Sequence, residues 1–281
     1  MKIIQSFRGV NGDNKWLAVN TILYTLSAML CKKHGYYTKL YCDTRFYEFI
    51  KDIADEFYDE IDLSVDNFPL PPKHIYADTK FRVMQNEPLG SVHIDGDVFL
   101  FKSDILDNLI DEDFDVLIQH KETLKNTLGV FWYSSSISFE NCKRPVWAKT
   151  KCEAMYNCGV VCIKNEKLKQ EYFDTYWKMY DEYDKCGVKN YTIPDIIIEQ
   201  QYLTDLCEYR NYKVKQILDD DFVHESARKI GYSHLIGNGK YCYLKKVLDV
   251  IYKYNKEIYF KLKNKFYGRG EDKIFKREWS Y

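Results

Sequence analysis

The chain opens on a strand–helix–strand pattern, which restricts the fold more than any other stretch of its sequence. "KIIQSF" (2–7) reads as a short strand, and a polar loop carrying Gly9 and Gly12 follows. Trp16, Val19, Leu23, Leu26 and Leu30 then recur at the spacing of one helical face. Gly35 is placed to stop that helix, and "YYTKLYC" returns to β-rich sequence before Asp43. Strand, helix, strand is the opening of an α/β sheet. In such sheets ligands sit beyond the carboxyl ends of strands, which makes Asp43 a candidate cofactor-binding residue.

The same alternation continues downstream. A second helix falls within 44–72, followed by the proline-rich "FPLPP"; "FDVLIQ" (114–119) is an apolar strand running toward Glu122. A serine-rich loop, "YSSSIS", precedes the strand-like "NCGVVCIKN" (157–165). Helical patterns cover roughly 166–186 and 195–208, the second started by Pro194 at a first-turn position, and "YKVKQI" reads as a late strand. With 281 residues the chain can bury a substantial core. Its net charge of −1 argues against electrostatic nucleic-acid binding by the whole molecule. Nine cysteines without a CxxC pair exclude a zinc-finger array and point to buried free thiols in a reducing compartment. The N-terminus lacks the apolar core of a signal peptide, and no stretch approaches a spanning helix. The expectation is a soluble, cytoplasmic protein. The 25 tyrosines serve either core bulk or stacking surface.

Two aspartates one residue apart, in "SVHIDGDVFLFK" (91–102), raise the first chemical question. Asp-Gly between apolar runs is a hairpin signal. If the stretch is extended, Asp95 and Asp97 instead point to one face and offer hard oxygen ligands to a metal. Gly96 between them permits a close approach to the backbone. A metal site needs a further protein ligand, and His234 in "GYSHLIGNGK" offers an imidazole, which suits manganese better than magnesium. Gly237 and Gly239 leave backbone N–H groups open to phosphate oxygens, and Lys240 adds a point charge. The plainer reading of this stretch is a surface loop. Asn157 and Gly159 in "MYNCGVV" fit a turn leading into a core strand, and Glu199 and Gln200 in "PDIIIEQQYL" face either a pocket or solvent.

In order, "HIDGDVFL", "YNCGV", "IEQQYL" and "HLIGNGK" resemble four motifs of GT-A-type glycosyltransferases. They look most like the retaining family of glycogenin and bacterial lipopolysaccharide galactosyltransferases. The resemblance covers roughly 80–240 and implies a Rossmann-like mixed sheet flanked by helices. It further implies that Asp95, Asp97 and His234 hold Mn2+ or Mg2+, with Asp95 also at the donor ribose, while Gly237 and Lys240 hold the diphosphate of a nucleotide sugar, UDP-sugar in that family. Asn157 and Gly159 would face the donor sugar, Glu199 and Gln200 would stand near its anomeric carbon, and Lys80 and Arg82 match a basic position that contacts the nucleotide. Glu199 and Gln201 replace two aspartates of the family pattern, and Tyr241-Cys242 replaces its Pro-Trp. A dication, Lys240 and backbone donors would stabilise the charge developing on the departing diphosphate.

This reading divides the chain into a catalytic domain, 1–240, and a basic amphipathic helical segment, 241–281. From Lys240 to Tyr281 there are 12 Lys/Arg against 5 Asp/Glu, with Leu244, Leu248, Ile251, Ile258 and Leu262 near one face. That pattern fits a docking helix, a helix lying on the inner face of a membrane, or a nucleic-acid contact. The expected acceptor is a saccharide or lipid-linked saccharide. The alternatives are transfer to modified bases in DNA, of the phage type, and a nucleotide-sugar-binding protein without catalysis.

Overall fold

The computed structural model describes residues 1–9, 12–69, 77–123, 142–150, 152–186, 195–219, 223–237 and 239–266. In chain order it runs β1 (Lys2–Phe7), α1 (Asn14–Lys33), β2 (Tyr37–Cys42), α2 (Thr44–Ala54), β3 (Glu60–Asp62), α3 (Asp78–Asn86), β4 (Val92–Ile94) and β5 (Val98–Leu100). It continues through α4 (Asp104–Ile110), β6 (Val116–Thr123), β7 (Ala154–Ile163), α5 (Glu166–Lys185), a π-helical turn (Ile197–Gln201) and α6 (Tyr202–Arg210). The last elements are β8 (Val214–Gln216), α7 (Val223–Ile230), β9 (Tyr232–His234), α8 (Gly239–Tyr254) and α9 (Lys256–Phe266). The result is the expected mixed α/β architecture, with mostly parallel strands flanked by helices. "FPLPP" from position 70 onward, "YSSSIS" and Pro194 lie outside the described residues.

Two compact units form: Met1–Phe68 with Ile94–Ser103 and Gly231–Tyr281, and Pro69–His93 with Asp104–Ile230. This differs from a boundary at 240. The C-terminal helices belong to the same unit as the N-terminal strands because their apolar face is used there. Leu244, Leu248, Ile251, Ile258 and Leu262 are all buried in one core with α1. No helix among the described residues is long and apolar enough to cross a membrane.

In the first unit β1, β2 and β3 are parallel, with Ile3 opposite Thr38 and Leu40 opposite Ile61. Asp13 caps α1 by accepting from Trp16 N–H at 2.7 Å, as short polar side chains do at helix starts. Gly35, at φ +79°, closes that helix in a left-handed conformation that disfavours a Cβ. α1 is buried well beyond a single stripe, because α2 and α8 both pack on it. In the second unit β6 pairs antiparallel with β7 and parallel with β8, with an irregularity between Ile118 and His120. Its core is aromatic: Phe81 stacks on Tyr176 at 3.6 Å, and the Tyr183 and Tyr202 hydroxyls meet at 3.2 Å. Many tyrosines thus serve as core bulk with an internal hydroxyl partner.

Leu244→Ala should lower unfolding free energy by about 2–5 kcal/mol, since the fully buried side chain leaves a cavity behind. Denaturant unfolding of the two proteins checks this.

Candidate metal centre

Asp95 and Asp97 are brought together by a turn, not by strand alternation. β4 ends at Ile94, Val98 N–H bonds back to the Asp95 carbonyl at 3.0 Å, and β5 begins at Val98. The Asp-Gly signal therefore marks a real turn but not a hairpin, because β5 pairs antiparallel with β9, far along the chain. In that register Val98 lies opposite His234, and Leu235 N–H donates to the Asp97 carbonyl at 3.0 Å. Backbone pairing thus delivers the imidazole to the two carboxylates. Asp95, Asp97 and His234 each offer a ligand atom within 4.8 Å of the others.

Gly96 has a steric reason within the first unit. A Cβ there would meet the Tyr24 ring at 1.9 Å. Tyr24 is fixed in turn, its hydroxyl donating to the Ser6 carbonyl at 2.7 Å and its ring packed edge-on to Phe7 and Phe46. The group that approaches Gly96 is a core side chain that sequence reading missed; Tyr24 sits on the buried α1 but carries no motif of its own. Burial first, then the Asp95 and Asp97 carboxylates, hold the Tyr24 hydroxyl well above its ordinary pKa.

Asp97 contacts both a histidine and a lysine. Its Oδ2 lies 2.8 Å from Lys240 Nζ, and its Oδ1 lies 3.4 Å from His234 Nε2. Burial favours the neutral acid, but His234 and Lys240 outweigh it and hold the carboxyl well below its usual range. For Lys240, burial lowers the pKa and the Asp97 charge more than compensates, leaving it raised. Gly237, at φ +59°, turns the chain between β9 and α8. Two carboxylates and an imidazole form an oxygen–nitrogen donor set that fits Mn2+ well and Mg2+ less well.

Asp43 follows β2 as expected and caps α2: its Oδ1 accepts from Phe46 N–H at 2.9 Å and its Oδ2 from Gly9 N–H at 2.8 Å.

In the second unit Asn157 and Gly159 are joined directly, Gly159 N–H donating to Asn157 Oδ1 at 3.0 Å. Asn157 Nδ2 donates to buried Glu122 Oε1 at 2.7 Å, and His120 Nε2 stands 3.9 Å from the same oxygen. Glu199 lies in the π-helical turn and pairs with Lys80, Nζ to Oε1 at 2.8 Å. π-turns are rare and occur often at functional sites. Lys80 also donates to the Cys158 carbonyl, between Asn157 and Gly159, so one ammonium ties α3, β7 and the π-turn together. Arg82 pairs with Asp78 at 3.1 Å and lies over the Trp177 ring at 4.3 Å. Gln200 is half-buried, and its carbonyl accepts from the Thr204 hydroxyl at 2.8 Å. An open cavity of about 990 Å³ is lined by Trp147, Lys178, Glu182 and Tyr209, and none of the candidate site residues lines it.

Fold and cluster define an α/β protein with a candidate divalent-cation site of oxygen and imidazole donors. The chain belongs to a protein family described as a family of unknown function (DUF6734), whose model matches residues 1–267. No curated protein matches the chain. Among solved structures it is similar to the galactosyltransferase LgtC in complex with donor and acceptor sugar analogues, at 14% identity over 77% of this chain and 73% of that one, TM-score 0.41. Mouse xyloside xylosyltransferase 1 gives 14% identity over 77% and 85%, TM-score 0.42. The glycosyltransferase GlyE of Streptococcus pneumoniae TIGR4 gives 12% over 76% and 45%, TM-score 0.38, so the chain spans less than half of that protein.

Gly96→Ala should cost about 1–3 kcal/mol through overpacking against Tyr24, as read by denaturant unfolding and thermal melts. Lys80→Met strips Glu199 of its ammonium partner at a buried site and should cost about 3–5 kcal/mol in denaturant unfolding. Adding Glu199→Gln to that variant should restore most of the loss.

Proposed function

We propose that the protein is a metal-dependent glycosyltransferase that moves a sugar from a nucleotide-sugar donor, a UDP-sugar, to a saccharide or lipid-linked saccharide. The observation that carries this reading is the convergence of Asp95, Asp97 and His234, distant in sequence and within 4.8 Å in space. The same residues fall in the first and last of the four ordered motifs that resemble GT-A-type glycosyltransferases. A divalent ion in this cluster supplies electrostatic stabilisation to a departing diphosphate.

The chain's own residues then have distinct tasks. Asp95, Asp97 and His234 would hold the cation, and Lys240 and Gly237 would bind phosphate oxygens. The motif resemblance gives Asn157, Gly159 and Gln200 to the donor sugar. Glu199, ion-paired with Lys80, stabilises positive charge at the anomeric carbon. An ion-paired carboxylate suits that electrostatic task better than service as a general base, which supports retention of anomeric configuration. Lys80 contributes by positioning Glu199; Arg82 is assigned to the nucleotide on the resemblance, and Asp43 on its place at the carboxyl end of β2. The basic C-terminal segment is the part proposed to meet a membrane-borne acceptor.

Purified protein with Mn2+ should consume a UDP-sugar; excess chelator and Asp97→Asn should each abolish turnover. NMR of the first product from an α-linked donor should show an α-anomeric proton. Full turnover in chelator removes the metal role, a β product moves the enzyme to the inverting class, and binding of UDP-sugars without any turnover leaves a non-catalytic binding protein.

A further inference from the structure

Asp97 already holds a cation in this structure, and the cation belongs to the protein. Lys240 Nζ stands 2.8 Å from Asp97 Oδ2, a contact that joins the first turn of α8 to the turn between β4 and β5. The two partners differ in exposure: the Asp97 side chain is 9% exposed and that of Lys240 31%. A half-buried ammonium on a long, flexible stem can leave by rotation of its own side chain, whereas Asp97 sits in a turn pinned by Val98 N–H and Leu235 N–H. A dication on Asp97 and an ammonium in contact with the same carboxylate repel each other at short range in a poorly solvated setting. The two charges compete for one acceptor.

We infer that Lys240 is a place-holding cation: it neutralises Asp97 until a divalent ion enters, is expelled by that ion, and turns to an anion bound beside the metal. This inference rests on the metal reading above. Its consequence is thermodynamic coupling through a single side chain. An anion that draws Lys240 away frees Asp97 for the metal, and a metal that expels Lys240 offers it to the anion. By linkage the two effects must be equal in size.

The experiment is calorimetric titration of the full chain with Mn2+ alone, and of UDP with and without saturating Mn2+, for the wild type, Lys240→Met, Lys240→Gln and the charge-preserving Lys240→Arg. Circular dichroism checks folding, and Lys240→Gln serves if Lys240→Met does not fold. Removing the charge should tighten Mn2+ binding by about tenfold, within the usual range of coupling between sites, while Lys240→Arg stays near the wild type. Mn2+ should raise UDP affinity in the wild type and markedly less in the neutral variants. Equal Mn2+ affinity in wild type and neutral variants, or weaker affinity in the latter, overturns the place-holding role and leaves the metal site standing. Absence of Mn2+ binding in all four proteins overturns the metal reading and this inference together.

Discussion

The ring of Tyr24 lies where a side chain at position 96 would be, and much of the first unit depends on that contact. Tyr24 stands on α1, the helix on which α2 and α8 both pack, and its hydroxyl is tied to the backbone of β1. The turn carrying Asp95 and Asp97 is thereby seated directly on the aromatic core of Phe7, Tyr24 and Phe46. Loops are usually the mobile part of an α/β protein. Here a two-aspartate turn borrows its rigidity from close packing, which transmits small displacements poorly tolerated in a dense interior. Core and candidate site are one mechanical object.

Local sequence carried the framework well. "KIIQSF", the helix around Trp16–Leu30 and "YYTKLYC" all appear as β1, α1 and β2, because periodicity and end signals there agree with tertiary packing. The pairing of β5 with β9 was not legible, since no local rule links Val98 to His234 across an intervening unit. Residue type alone offers His234 as a further ligand, and the motif resemblance assigns it to the same site as the aspartates. The face-sharing argument for Asp95 and Asp97 reached the right proximity through the wrong geometry: the strand is interrupted and a turn brings the carboxylates together. The salt bridge between Lys80 and Glu199 was likewise invisible, because each looked plausible as a solvated or ligand-facing charge. The C-terminal apolar face was read correctly as amphipathic, but amphipathicity alone does not name the surface that covers it. The core around α1 covers it.

Charge is compensated by close partners in both units. The first sets Asp97 against a histidine and a lysine, so a buried carboxylate stays ionised. The second uses paired and hydrogen-bonded groups: Glu122 with Asn157, Glu199 with Lys80, and Asp205 with the Lys149 amide and the Gln201 side chain. Such networks are costly when half satisfied and rigid when complete. Burial pushes the Cys31 and Cys162 thiols up to about 12, which leaves them unreactive hydrophobes.

The β5–β9 pair also has a meaning for the chain as a polymer. Phe101 N–H reaches the Gly231 carbonyl, so the chain leaves the first unit after Ser103 and re-enters it at Gly231 beside its own point of departure. Everything from Asp104 to Ile230 is a closed loop whose two ends are clamped by a few strand hydrogen bonds. The entropy of closing such a loop grows only with the logarithm of its length, about 0.6 kcal/mol per doubling. The length of chain between Val98 and His234 can therefore change at small entropic cost, so long as the β5–β9 register that sets the acidic turn beside its histidine is kept.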